Sequence, residues 1–289
     1  MSTLTPTRRS SGETTPTAAD DVAPPAARST VAGVMRGEWV KLLSLRSTWW
    51  TLAATVVLMT LVSFAAAMSL DAMAEDPVMG AAVAEMHGAE VISGGFQIGM
   101  LTIAVLGALF ITGEYSTGMI RSTFAAVPTR LPVLSAKAIA LVVLTVVVTV
   151  VGVAASSAVT LPQLATYDLV PALDDPGTWR VLGGTLYFLV AAALFSLGVG
   201  TLLRSTAATV TVALTVLLLL PGILGFITLD WVETLVGYLP LPASSAFLTA
   251  GATDVRGVSL SAQGGLLVVA AWAVIPMVAA AVALRRRDA

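Results

Sequence analysis

Six apolar stretches, each long enough to cross the hydrocarbon core of a bilayer and none holding a charged residue or a histidine, constrain this chain more than any other feature. They fall at about residues 50–70, 91–112, 138–161, 181–203, 207–228 and 261–284. A bilayer core is spanned by roughly 20 apolar residues in helical form, so each stretch is sufficient by itself. Overall, 57% of the residues are hydrophobic and 11% charged, whereas a soluble domain carries about a quarter charged residues. The expected fold is all-α, a polytopic membrane protein with six transmembrane helices.

Orientation follows from the basic residues, which are retained on the cytoplasmic side. Arg8, Arg9, Arg28, Arg36, Lys41 and Arg46 precede the first span. Arg121, Arg130 and Lys137 lie between the second and third, Arg204 between the fourth and fifth, and Arg285, Arg286 and Arg287 after the sixth. An even number of spans places these 13 of the 15 basic residues on one face, opposite Arg180 and Arg256. Both termini are therefore expected in the cytoplasm, with the protein multi-pass in the plasma membrane. Acidic residues crowd the opposite loops, and these do not set orientation. No nucleic-acid partner is expected.

Residues 1–30, rich in Ser, Thr, Pro and Ala, read as a disordered cytoplasmic tail. A secretory signal would bring an apolar core soon after a short basic region. Here the first apolar run starts near residue 49 and is long enough to span, so it stays as the first helix. The remainder, 31–289, forms one six-span domain. Within it, residues 31–48 form an amphipathic helix at the inner interface, with Val31, Val34, Met35, Trp39, Leu42 and Leu45 on one face and Arg36, Lys41 and Ser44 largely opposite. Trp39 suits headgroup depth, and Lys41 and Arg46 suit anionic lipid. Glu38 projects from the apolar face as a misfit, which either Lys41 or the basic second-to-third loop can neutralise.

Several chemistries are excluded. Cysteine is absent, so thiolate catalysis and Cys-based metal sites are ruled out. His87 is the sole histidine and reads as a solvated loop residue, since a metal site needs three or four ligands. Only Lys41 and Lys137 represent lysine, neither follows a glycine, and the phosphate-cradling G-x-x-x-x-G-K-[ST] loop is missing. No G-x-S-x-G elbow and no H-E-x-x-H helix occurs. The apolar stretches also lack the ionisable groups with which gradient-driven carriers hold their coupling charge. Gln97, Ser156, Ser157, Thr209, Thr211 and Thr215 are the polar groups available there, expected mainly to bond between helices, with Gln97 also able to face a pathway. Gly95 and Gly99 form a small-xxx-small pair for close helix packing. Pro221 and Pro276 mark kinks in the fifth and sixth spans. Residues 229–260, with Trp231, Tyr238 and Leu239-Pro240-Leu241-Pro242, are too apolar for an ordinary loop and should dip into the outer interface or cap the bundle.

What remains is a six-span bundle with an elaborate cytoplasmic segment at 113–137. The run Ile111-Thr112-Gly113-Glu114-Tyr115-Ser116-Thr117-Gly118-Met119-Ile120-Arg121, then Pro128-Thr129-Arg130 and Lys137, resembles the second-to-third loop of bacterial type-2 ATP-binding-cassette (ABC) transporter permeases. Gly37-Glu38-Trp39-Val40-Lys41 and Arg46-Ser47-Thr48-Trp49-Trp50 resemble the segment before their first span. The resemblance covers nearly all of the chain after residue 30.

It implies an exporter subunit that binds no cofactor itself and is driven by ATP and Mg in a separate ABC ATPase subunit. The second-to-third loop would dock on that ATPase through a short coupling helix at 118–124, beside the interfacial helix. A second permease copy or paralogue would complete a dimer, with the first and fifth spans near its two-fold axis. Glu114 and Tyr115 would sit where the second span leaves the membrane, and Gly118 would open the docking helix. Met119, Ile120 and Phe124 would act as apolar anchors with Arg121 at the rim, and Pro128, Arg130 and Lys137 would lead into the third span. Spans of Ala, Val, Leu, Gly, Ser and Thr suit a hydrophobic or amphipathic cargo. The competing expectation is a non-transporting scaffold or sensor that docks some other cytosolic protein through 113–137.

Overall fold

In the computed structural model of the chain, described for residues 30–76, 79–127, 129–249 and 260–286, every regular element is helical and six helices are long and apolar enough to cross a membrane. The tail at 1–29, Pro128, most of the stretch after Thr249, Arg256 and Arg287 fall outside the described residues.

The chain opens with α1 (Val31–Ser44), capped by the Thr30 hydroxyl, which accepts from the Gly33 amide. The first span joins α2 (Arg46–Met68) to α3 (Leu70–Glu75), and α4 (Met79–Glu85) follows. The second joins α5 (Gly88–Ser93) to α6 (Phe96–Ser116). A short α7 (Met119–Ala126) leads to α8 (Leu131–Thr166), the third span, and α9 (Pro176–Leu203) is the fourth. The fifth comprises α10 (Thr206–Leu214), a π-turn at Thr215–Leu219 and α11 (Leu220–Leu224). Two short helices, α12 (Asp230–Gly237) and α13 (Pro240–Leu248), precede the sixth span, α14 (Ala262–Arg286).

The helices outrun their charge-free apolar cores. The third span begins at Leu131 rather than near 138, so Lys137 lies inside a helix, as does Glu114 at the end of α6. The apolar stretches themselves stay free of ionisable groups, as expected, and the helices that carry them are longer. Likewise 113–137 is hardly a loop: it consists of the last turn of α6, the whole of α7 and the first turns of α8.

The fourth span is the centre of the bundle, with 67% of its most apolar window buried, whereas the first, fifth and sixth show 22%, 22% and 17%. Glycines set the closest approaches. A Cβ on Gly95 would collide with the Met59 carbonyl, and one on Gly99 would lie 2.7 Å from the Met59 sulfur, so the small-xxx-small pair packs the second span onto the first. Gly198, which sequence reasoning passed over, does the same for α9 against α14, where a Cβ would lie 2.8 Å from the Met277 nitrogen just beyond Pro276. Gly95→Leu is therefore expected to separate the first two spans, costing about 1–3 kcal/mol as an overpacked site and lowering the melting temperature in detergent. An unchanged melting temperature would contradict this packing.

Pro221 cannot donate a backbone hydrogen bond, and the fifth span adapts in the turn before it: the Leu220 amide reaches back five residues to the Thr215 carbonyl. Most membrane hydroxyls do not bridge helices as expected. Ser157 and Thr209 donate to carbonyls four residues back in their own helices, at 2.8 and 2.7 Å. Bridges arise elsewhere, between Thr55 and Thr102 at 2.8 Å, between Thr206 and Thr112 at 2.8 Å, and from Tyr187 to the Leu266 carbonyl at 2.7 Å.

His87 is also more than a solvated loop residue. Its Nδ1 accepts from the Ala89 amide at 3.2 Å and caps α5, which assigns the proton to Nε2, 2.7 Å from Asp175 Oδ2. Asp175 in turn caps α9, and its amide bonds, first that from Gly177, hold its carboxyl below the ordinary range. Within 229–260, α13 packs on the bundle, burying Pro240, Ala243, Phe247 and Leu248 against α9 and α14, while Trp231, Leu235 and Tyr238 are exposed.

Candidate functional site

Among the described residues, every basic residue but Arg180 lies around α1, α7 and the adjoining ends of α2, α6, α8, α9 and α14. The inner stripe of α1 is narrow. Leu42 is fully buried, Val34 and Trp39 pack at its edges, and Val31 and Leu45 are exposed. Glu38 lies on this stripe, 2% exposed, pressed against protein rather than lipid.

Both lysines of the chain meet this carboxylate. Lys137, wholly buried, places Nζ 2.5 Å from Glu38 Oε2, 2.7 Å from Glu114 Oε1 and 4.2 Å from the centre of the Phe110 ring. An ammonium has three protons, and this geometry directs two to carboxylates and leaves the third facing an aromatic ring. Lys41 uses all three of its own, on Glu38 Oε1 at 2.7 Å, Glu114 Oε1 at 3.0 Å and the Thr123 hydroxyl at 3.0 Å. Two carboxylates and two ammonium groups make the cluster neutral, the condition for burying charge at tolerable cost. Four helices contribute: α1 supplies Glu38 and Lys41, α6 Glu114, α7 Thr123 and α8 Lys137. Glu38 thus pairs with both of the partners its sequence position allowed.

Partial burial disfavours the Lys41 ammonium, but hydrogen bonds to Glu38 and Glu114 and the charge of both carboxylates outweigh it and raise its pKa. A raised lysine pKa contributes stability in full below the ordinary value, about 10.4, and loses it as pH rises through the folded value. Thermal unfolding followed into strong alkali should therefore show a loss that Lys41→Met lacks; identical alkaline profiles would contradict the tie.

Around the cluster, α7 is set by its ends. Gly118 takes a left-handed conformation with φ 72°, which reverses the chain between α6 and α7 and which glycine adopts at least cost. Ile120 and Phe124 point inward and are 5% and 8% exposed. They are therefore not available as anchors for a partner, contrary to expectation: the bundle itself covers the apolar face of α7. Met119, Arg121, Ser122, Ala125 and Ala126 face outward. Arg130 stacks over Phe124 with 5.4 Å to the ring centre and donates to the Leu284 carbonyl at 3.4 Å, tying α7 to α14.

Tyr115 carries Arg204 over its ring at 5.3 Å, linking α6 to the end of α9. Arg46 is exposed at the start of α2, beside exposed Trp49 and Trp50. Thr123, Phe110 and Arg204 belong to this assembly and were not singled out from sequence. The one available signal was the carboxylate misfit Glu38 with Lys41 three residues on; Lys137, 99 residues away, gave none.

The charged groups of the cluster are committed to one another, and no group of three or more potential metal ligands occurs among the described residues. Through Thr123, the ion cluster and Phe124, α7 is joined to the ends of two spans and to α1. Compared with family models and with curated proteins, the chain matches none of either.

Proposed function

We propose that this chain is the membrane-spanning permease subunit of an ABC exporter, with the basic end of the bundle in the cytoplasm and a separate ATPase docked on α7 and the adjoining edge of α1. The observation that carries the reading is the buried Glu38–Lys41–Glu114–Lys137 cluster, which makes α1, α7, the end of α6 and the start of α8 one block. A docking helix that merely hung between two spans would bend under load. One cross-linked by charge-assisted hydrogen bonds in a low-dielectric site transmits displacement instead.

The excluded chemistries support the same reading. A braced helix exposed at one end of a bundle suits a subunit that takes its work from a partner. The resemblance of 111–121 and 37–50 to type-2 permeases names that partner's class, and a permease pair would alternate between two states that the ATPase biases. The cargo crosses as a hydrophobic or amphipathic molecule, consistent with apolar spans. The chain would act in the plasma membrane of a bacterium, paired with a second copy or a paralogue.

Purification from native membranes in mild detergent tests this directly. The expected result is stoichiometric recovery of a protein carrying the G-x-x-x-x-G-K-[ST] loop. Its absence across several mild detergents, with some other cytosolic protein recovered, would replace the permease by a scaffold.

A further inference from the structure

Where the second and fourth spans end, a cavity of about 560 Å³ opens beside α7, lined by the last residues of α6, the first turn of α7 and Arg204 at the close of α9. We propose that it binds a phosphate group, carried to it by an anionic phospholipid of the adjoining leaflet. Neither an ATPase nor a cargo takes part, so this inference and the proposed function fail separately.

Two arginines give the site its sign. Arg121 stands on the first turn of α7, and Arg204 is the left-handed residue, φ 57°, on which α9 stops. The Arg204 guanidinium lies over the Tyr115 ring, 5.3 Å from its centre, which holds it beside the cavity. Its Nε is buried and makes no hydrogen bond, and the Tyr115 hydroxyl is in the same state. A buried donor without a partner is costly, so two of them on residues lining one cavity point to an acceptor that completes them. Arg121 is exposed, and neither arginine forms an ion pair among the described residues. The carboxylate of Glu114, next in the chain to Tyr115, is already matched by the two lysines.

Ser116 and Thr117 also line the cavity, but each has spent its proton on the Gly113 carbonyl, at 3.0 and 2.9 Å. Recognition of an anion therefore falls to the arginines and the tyrosine. A phosphate suits three donors on separate elements, because its oxygens spread over a tetrahedron, whereas the two oxygens of a carboxylate lie in one plane. The planar fork of a guanidinium matches phosphate oxygens in pairs. Depth identifies the carrier. Arginine and tyrosine at the ends of spans sit at headgroup level, and basic pockets between spans hold anionic headgroups. Leu203, just inside Arg204, is 43% exposed, which leaves a way past it for acyl chains to enter the bilayer.

Native mass spectrometry of the whole purified chain in dodecyl maltoside, with equal amounts of phosphatidylglycerol and phosphatidylcholine added, tests this. Phosphatidylglycerol should be retained in preference by about tenfold or more, two arginines acting on one net charge. Arg204→Gln and Arg121→Gln should each cut that preference about fivefold. Arg36→Gln, which removes the same charge from an exposed position on α1, should leave it unchanged. Thermal melts with inorganic phosphate separate the sources: no shift is expected, and saturable stabilisation without any lipid preference would assign the site to a soluble phosphate instead. Equal retention of the two lipids with no response to phosphate, an equal loss in Arg36→Gln, or undiminished preference in a folded Arg121→Gln/Arg204→Gln variant would each overturn the proposal. The comparison of the two lipids uses the unaltered chain, so it decides the matter even where a variant does not fold.

Discussion

Lys137→Met is expected to be the most damaging single change in the chain. It removes one of two ammonium groups from between two buried carboxylates and leaves Glu38 and Glu114 sharing Lys41 alone. Breaking a buried ion pair by deleting one partner costs about 3–5 kcal/mol, because an uncompensated charge stays behind. Thermal unfolding in detergent should show a large drop.

The cause is separable from lost packing. Adding Glu114→Gln to Lys137→Met restores neutrality without restoring volume, so the double variant should be more stable than Lys137→Met by itself. Additive losses in this cycle would mean that the four groups are not one network. Glu114→Ala accordingly reads as a structural lesion, since Glu114 is only 5% exposed and cannot itself reach a docked protein.

Arg121→Glu should leave the fold intact and abolish function. Arg121 is exposed on α7, outside the ion cluster. Reversing its charge on a docking surface should leave the melting temperature within about 0.5 kcal/mol of equivalent stability, as for surface changes generally. The loss should appear in the partner, as a fall of about tenfold or more in the ATPase stimulation the chain provides, in line with the removal of an interface hot spot. Ser122→Glu, one residue along the same face, should weaken docking in the same sense. Normal stimulation by folded Arg121→Glu would move the docking surface elsewhere.

The six spans were legible because the bilayer imposes a length and a polarity that composition reports without knowledge of tertiary contacts. Their ends were not, since a hydropathy window halts at the first charge while the helix continues if that charge is neutralised. Lys137 is the case in point: its carboxylate partners lie 99 and 23 residues away in sequence. Glu38 was visible as a misfit, but only the fold shows that protein rather than lipid lies against it.

The short helix after Gly118, found at Met119–Ala126, was expected at 118–124 only through the resemblance of this segment to the permease loop. Which way Ile120 and Phe124 point was not legible, because an amphipathic pattern specifies an apolar face and leaves open whether the chain or a partner covers it. His87 shows the same limit: its tie to Asp175 joins residues 88 apart. The cavity beside α7 depends on the ends of two spans converging there, and nothing in the sequence shows that Arg204 lies over Tyr115.

The central claim is that work enters this bundle from an ATPase docked on the braced α7 helix. The most direct measurement is transport of an amphipathic fluorescent dye in proteoliposomes that hold the chain together with its co-purifying ATPase, with protein-free liposomes subtracted. Transport should require hydrolysable ATP, persist when a protonophore dissipates the proton gradient, and vanish in Arg121→Glu. Transport that continues without ATP and collapses with the proton gradient would contradict the account.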